Sequence, residues 1–244
     1  MHFLSIEPST KVFSLAISHD AKVLRFRNLK VDKVLEDSIV PAVDKILTSA
    51  GISFKRIDGF AVGLGPGSFT SLRVGLATVK AFAMATGKPV VGIASLDVLA
   101  EGASNVPCDE ICVISDARRG MVYAAIYNNA GAGSPGPKSG GGTPPLRRKT
   151  DYLLTTVENV LNHVHGRTLF VGDGVALYRD DIIRAYKKCD SKTCQALFAP
   201  QKLWYPQAKS LAKLACERFA LKDYDDSERL VPLYLYAADC QVAR

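Results

Sequence analysis

"FLSIEPSTKVFSLAIS" (Phe3–Ser18) and "CVISDARRGMVYAAIY" (Cys112–Tyr127) follow one pattern, 109 residues apart. Each has an apolar run, an acidic residue (Glu7 or Asp116), a short polar turn and a second apolar run. Two apolar runs broken by a polar turn read as the buried strands of a hairpin. Their recurrence predicts a chain built from two related halves.

Working outward from the first hairpin, Val23–Leu29 reads as a third, weaker strand. In Lys33–Ser49 the apolar residues Leu35, Ile39, Ala42, Val43, Ile46 and Leu47 recur at steps of three and four, an amphipathic helix ending near Gly51. Pro41 either kinks it or sets the start of its regular part near Ser38. Ile57–Leu64 and Pro89–Ala94 are strands bracketing a helix of small residues, and a further helix starts at a Ser95 cap. Beyond the second hairpin come a helix (Thr155–His163), a strand (Thr168–Val171), a "GDG" loop and helices at Asp180–Lys188 and Gln207–Ala220. Strands alternating with helices indicate an α/β chain. The expected domains are 1–110 and 111–244, the second carrying a flexible Gly/Pro-rich loop at 130–145.

With 244 residues, 48% of them hydrophobic, the chain can bury a sizeable core. No run approaches the roughly 20 apolar residues that span a bilayer. The N-terminus lacks the basic region and cleavage site of a signal peptide, so a cytoplasmic protein without a membrane role is expected. The six cysteines form no CxxC pair and read as reduced thiols. Net charge is +7, and residues 111–244 carry the excess, with 19 Lys/Arg against 13 Asp/Glu. "LRRK" (Leu146–Lys149) and "RAYKKCDSK" (Arg184–Lys192) form either a solvated basic face or a contact for RNA or an acidic partner.

In "GLGPGSFTSLRVGLATVKAFA" (Gly63–Ala83) the chain turns sharply from strand to helix. Gly65 and Gly67 open backbone angles closed to other residues, Pro66 fixes a torsion, and Ser68 or Thr70 can cap the helix. Free N–H groups at such a start suit an anion. The stretch is neither a Walker loop nor GxGxxG, and Ser68 lacks the flanking glycines of a nucleophile elbow. Ser71, Gly75, Thr78 and Ala85, with Phe82, fall near one helix face. Such small residues admit a close neighbour, which is either a partner protein or another element of the same domain.

"GPGSFTSLRVGLATVKAFA" resembles the signature of the bacterial TsaB family, also called YeaZ. "DARRGMVYAAIY" matches a second family block and "VPLYLY" (Val231–Tyr236) its C-terminal motif; with the N-terminal hairpin and "VGDGV" (Val171–Val175) the resemblance spans nearly the whole chain. It implies an actin-like, two-lobed fold of the sugar-kinase, Hsp70 and actin superfamily, with duplicated mixed-sheet halves. It also implies a non-catalytic subunit in tRNA threonylcarbamoyladenosine formation. That subunit pairs with a TsaD-like catalytic subunit and is joined by a TsaE-like ATPase. It meets tRNA through the complex and forms a homodimer when alone. No cofactor is expected for this chain; ATP and a metal ion belong to the partner subunits. The implied partner-binding residues are Gly65, Pro66, Gly67, Ser68, Phe69, Thr70, Ser71, Arg73, Gly75, Thr78 and Phe82.

The resemblance further implies vestigial nucleotide-facing positions at Glu7, Ser9, Thr10, Asp116, Arg118, Arg119, Gly172, Asp173 and Gly174. The chain departs from the family at the first turn, where Asp-Thr-Ser/Ala-Thr is usual. Glu7 adds a methylene and Pro8 removes an N–H donor, which works against tight phosphate binding. In the alternative reading both carboxylates simply cap backbone N–H groups of their turns. His163 and His165 are two apart, and no HExxH or HxxxH spacing occurs, so neither a metal site nor proteolysis is expected. No catalytic residue is assigned. The competing functions are an ATP-dependent phosphotransferase on the same fold and an RNA-binding module using the basic second half; the absence of RRM and KH motifs argues against the latter.

Overall fold

The computed structural model describes residues 1–30, 36–129, 146–188 and 193–236. The expected loop at 130–145, the start of the first helix, Lys192, Cys189 and Cys240 lie outside the described residues. In chain order the elements are β1 (His2–Glu7), β2 (Val12–His19), β3 (Lys22–Lys30), α1 (Glu36–Ala50), β4 (Gly59–Gly63), α2 (Phe69–Thr86), β5 (Val90–Ile93) and α3 (Ser95–Ala103). There follow β6 (Glu110–Asp116), β7 (Val122–Asn128), β8 (Arg147–Arg148), β9 (Leu153–Thr155), α4 (Val157–Leu161), β10 (Arg167–Val171), α5 (Gly174–Lys187), β11 (Gln195–Phe198) and α6 (Ala208–Ala220).

The two predicted hairpins form and each nucleates a sheet of the same plan. In the first, the order is β3-β2-β1-β4-β5. The hairpin pairs Phe3 with Ser18 and Glu7 with Ser14 antiparallel, while β4 lies parallel to β1 and β5 parallel to β4. In the second, the order is β11-β10-β6-β7-β8, with β9 also pairing β7. Cys112 faces Ile126 and Asp116 faces Val122 antiparallel, and β10 and β11 follow in parallel. Two mixed sheets of equivalent strand order are the duplicated, actin-like α/β architecture expected from the resemblance.

The cores follow from the sequence patterns. β1 and β2 present Leu4, Ile6, Phe13, Leu15 and Ile17 to Ile39, Val43 and Ile46 of α1 and to Leu76 and Val79 of α2. The opposite face, with Phe3, Ala61 and Val91, is covered by Leu211, Ala215 and Phe219 of α6. Phe3 and Phe219 stack at 4.1 Å. In the second sheet Cys112, Ile114, Val122, Ala124 and Ile126 pack with α4 and α5 through Val157, Val160, Val175 and Ile182.

The domain bounds expected at 110 and 111 need correction. One compact unit is Met1–Val98 with Pro206–Tyr234; the other is Leu99–Tyr205 with the described residues from Leu235. The reason is α6, whose apolar stripe covers the sheet of the first unit although it lies far along the chain. The helix expected to begin at Asp180 starts at Gly174, directly after the "GDG" loop opens. The strand β11 was not anticipated. The expectation of reduced thiols holds for Cys108, Cys112 and Cys216, but Cys194 is disulfide-bonded. No helix of the described residues is long and apolar enough to cross a membrane.

Candidate functional site

The Gly-Pro-Gly turn is fastened on two sides within its own unit. Gly65 N–H donates to Ser95 Oγ at 3.1 Å, and Ser95 N–H donates back to the Gly65 carbonyl at 2.7 Å. Ser68 N–H donates to the Ser9 carbonyl at 2.7 Å. A Cβ on Gly67 would stand 2.1 Å from that same oxygen, so glycine is what lets the turn settle on the β1–β2 loop. Ser68 occupies the N-cap position of α2, yet its hydroxyl meets Ser71 Oγ at 3.0 Å rather than capping. The Ser68 donor that a phosphate cradle would use is thus spent on the hairpin.

Glu7 lies beneath this turn, fully buried. Ser95 Oγ stands 3.0 Å from both carboxylate oxygens, and Ser9 N–H donates to Oε1 at 3.0 Å. A Cβ on Gly63 would be 2.0 Å from Oε2, so the carboxylate fills the space that glycine leaves. Burial pushes the Glu7 pKa up, and the hydrogen bonds from Ser9 and Ser95 oppose that shift. Ser9 is buried as well, and Thr10 Oγ1 folds back onto Val12, donating to its carbonyl at 3.1 Å. Glu7 and Ser9, expected to face a nucleotide, therefore face the interior: the extra methylene of Glu carries the carboxylate under the turn.

In the second unit the corresponding residues do come together. Asp173 Oδ1 accepts from Ser115 Oγ at 2.9 Å and from Asp116 N–H at 3.0 Å. Asp116 Oδ1 accepts the Arg118 N–H at 2.8 Å, and its Oδ2 lies 3.7 Å from Arg118 Nε. Arg118 and Arg119 turn the hairpin in the left-handed region, at φ 66° and 54°. Gly172, at φ 117°, and Gly174 back onto the carbonyl of Ile114 within β6. Both hairpin carboxylates cap an N–H two residues on, as the simpler reading of the sequence had it.

Helix α2 presents a different face from the one expected. Gly75 is buried, and a Cβ there would meet Pro8 Cγ at 2.5 Å. Phe82 packs edge-on against Phe54 at 4.9 Å and joins the core, Thr78 Oγ1 donates to the Val74 carbonyl, and Gly65 and Pro66 are buried. Gly75 and Phe82 thus serve internal packing, the alternative left open by the sequence, while the Thr78 hydroxyl bonds only the backbone of its own helix. The exposed stripe runs through Phe69, Arg73, Ala77, Ala81 and Met84, at steps of four, four, four and three. Phe69 is 53% exposed and Met84 84%. Arg73 lies 3.8 Å over the Phe69 ring, and its Nε donates to Tyr234 Oη at 3.2 Å. Ala77, Ala81, Met84 and Tyr234, not singled out in the sequence, lie on or beside this stripe; the four-residue spacing of Ala77 and Ala81 was the available signal for the first two.

Comparison with known proteins bears on the fold and on the proteins this chain resembles. A family model described as TsaD, tRNA N6-adenosine threonylcarbamoyltransferase, matches residues 30–136. The tRNA threonylcarbamoyladenosine biosynthesis protein TsaB of Escherichia coli (strain K12) is 27% identical over 238 residues, covering 96% of this chain and 94% of that protein. Over nearly its whole length the chain is thus similar to a TsaB protein. The Bacillus subtilis (strain 168) protein of the same name is 28% identical over 52% of this chain and 55% of its own length. Among solved structures, YeaZ from Pseudomonas aeruginosa shares the fold, with a TM-score of 0.75 at 22% identity over 96% of this chain and 99% of that one.

Proposed function

We propose that this TsaB-type chain acts in tRNA threonylcarbamoyladenosine biosynthesis as a non-catalytic subunit that pairs with a TsaD-type transferase. The exposed stripe of α2 supports this reading most directly. Ala77 and Ala81 allow another backbone to come close, while Phe69 and Met84 supply the apolar area that anchors a protein contact. The family names of the relatives supply the pathway. The commitment of Glu7, Asp116 and Asp173 to neighbouring donors supports a chain that leaves the chemistry to its partner. In this reading the chain needs no cofactor, ATP and a metal ion serve the partner subunits, a TsaE-type ATPase joins the pair, and the free chain self-pairs through the same stripe.

The test is a binding titration with the TsaD-type protein of the same organism, alongside a transfer assay. Ala81→Arg puts an unpaired charge on the stripe without touching the core. It is expected to weaken pairing at least tenfold, about 1.4 kcal/mol, with an unchanged thermal melt. Full transfer activity by the partner in the absence of this chain would overturn the proposal.

A further inference from the structure

Five cations of the second half, part of the charge excess read in the sequence as a candidate RNA contact, are paired with carboxylates. Lys149 Nζ holds the buried Glu110 carboxylate at 2.5 Å, and Arg184 pairs with Asp181. Arg118 pairs with Asp116, Arg218 with Asp223 and Asp225, and Arg229 with Asp226. The edge strand β3 is different. Its nine residues, "KVLRFRNLK", hold Lys22, Arg25, Arg27 and Lys30, all exposed, and no carboxylate. Among the described residues none of the four has an acidic partner. Arg25 is held by the carbonyls of Ser49 and Leu24. Asp20, in the turn before β3, bonds the Met1 amine. From α6, Lys209 leans over the half-buried Phe26 ring at 5.5 Å and adds a fifth cation.

We infer that the β3 edge, with Lys209, is a contact for the tRNA sugar–phosphate backbone, made by this chain itself. This rests on the proposed role in tRNA modification and adds a surface to it. At about 3.4 Å per residue the strand sets its cations along about 27 Å. Alternation sends them to both sides of an open edge, a ridge that a polyanion can follow. Uncompensated Lys and Arg attract phosphates at long range and release counterions on contact. The same charges discourage pairing with another strand, so the edge favours a polyanion over β-augmentation. The strip lies on β3 and α6, separate from the α2 stripe assigned to the protein partner.

The experiment measures binding of an unmodified tRNA transcript to the full chain, alone and paired with the transferase, across a salt series. The variant is Lys22→Ala/Arg27→Ala/Lys30→Ala, which spares Arg25 and its bonds to the backbone. The expected result is at least a tenfold loss of tRNA affinity, a log–log salt slope reduced by about 2 to 3, and unchanged pairing and melting. Unchanged tRNA affinity and slope would overturn the inference, as would a wild-type chain with no contribution to tRNA binding in either form. Loss of transferase pairing in the triple variant would also overturn it, assigning the strip to a protein. Ala81→Arg separates the two readings: it should break pairing and leave tRNA binding by the isolated chain intact.

Discussion

The two hairpins share their place in the strand order and an acid at the end of the first strand, yet they use that acid differently. At the β1–β2 turn the carboxylate of Glu7 is buried and the Gly-Pro-Gly turn closes over it. At the β6–β7 turn Asp116 remains 22% exposed, with Arg118 beside it and the Asp173 side chain tying β6 to the start of α5. The difference shows how one duplicated scaffold is divided between tasks. The first hairpin has become a support that fixes the angle of α2; the second keeps an open, charged turn. Four substitutions probe that division, beginning with the largest effect.

Gly75→Leu attacks the support. A side chain there would run into Pro8, whose ring is fixed in the β1–β2 turn, so neither neighbour can yield cheaply. Overpacking of this kind costs about 1–3 kcal/mol or more, and for a chain of this size each kcal/mol moves the melting temperature by roughly 2–4 °C. A fall of about 10 °C in a thermal melt is expected. A variant that melts normally while losing the transferase would restore Gly75 to the partner surface and undo the assignment of the outward face.

The Glu7 carboxylate should make the same hairpin sensitive to pH. Burial raises its pKa in the folded state, so the fold holds the proton to higher pH than the unfolded chain does. At pH below the ordinary carboxylate range both states are protonated and there is no penalty. As pH rises from that range through the raised value the folded state loses stability, and above it the full cost is present. Glu7→Gln removes the charge and keeps an acceptor for Ser9 and Ser95. Its melting temperature relative to wild type should climb as pH rises from 4 to 8, and a difference that stays flat would show that the Ser95 and Ser9 bonds fully offset burial.

Much of this fold was legible because the apolar patterns are local. The hairpins, β4 and β5 follow from apolar runs within a few residues; α3 begins at Ser95 as expected, but the Ser95 hydroxyl bonds Glu7 and Gly65 instead of capping the helix. The assignment of α6 to the first unit was not, since nothing in "AKSLAKLACERFA" says which sheet its stripe will cover; the Phe3–Phe219 stack that decides it joins residues from opposite ends of the chain. The short β11 escaped because Gln195–Phe198 shows neither clear alternation nor a long apolar run. On α2, small residues alone could not say which side faces out. Gly75 is small because Pro8 presses on it, whereas Ala77 and Ala81 are small on the solvent side.

The smallest effect belongs to the open hairpin. Asp116→Ala removes an acceptor for the Arg118 N–H and a 3.7 Å ion pair with a guanidinium whose side chain is 88% exposed. The exposed pair is worth little, because water solvates both charges and the arginine loses rotamer freedom in making it. The N–H bond matters slightly more, since it helps hold Arg118 at its positive φ. A net loss of about 0.5–1 kcal/mol is expected, a shift of roughly 1–4 °C in the melt. Its neighbour behaves differently on the same argument: Asp173→Ala removes an acceptor shared by Ser115 Oγ and the Asp116 N–H, both part-buried, and should cost more than Asp116→Ala. If the order is reversed, the exposed carboxylate is the structural anchor of its turn, and the contrast between a buried support and an open turn fails at the second hairpin.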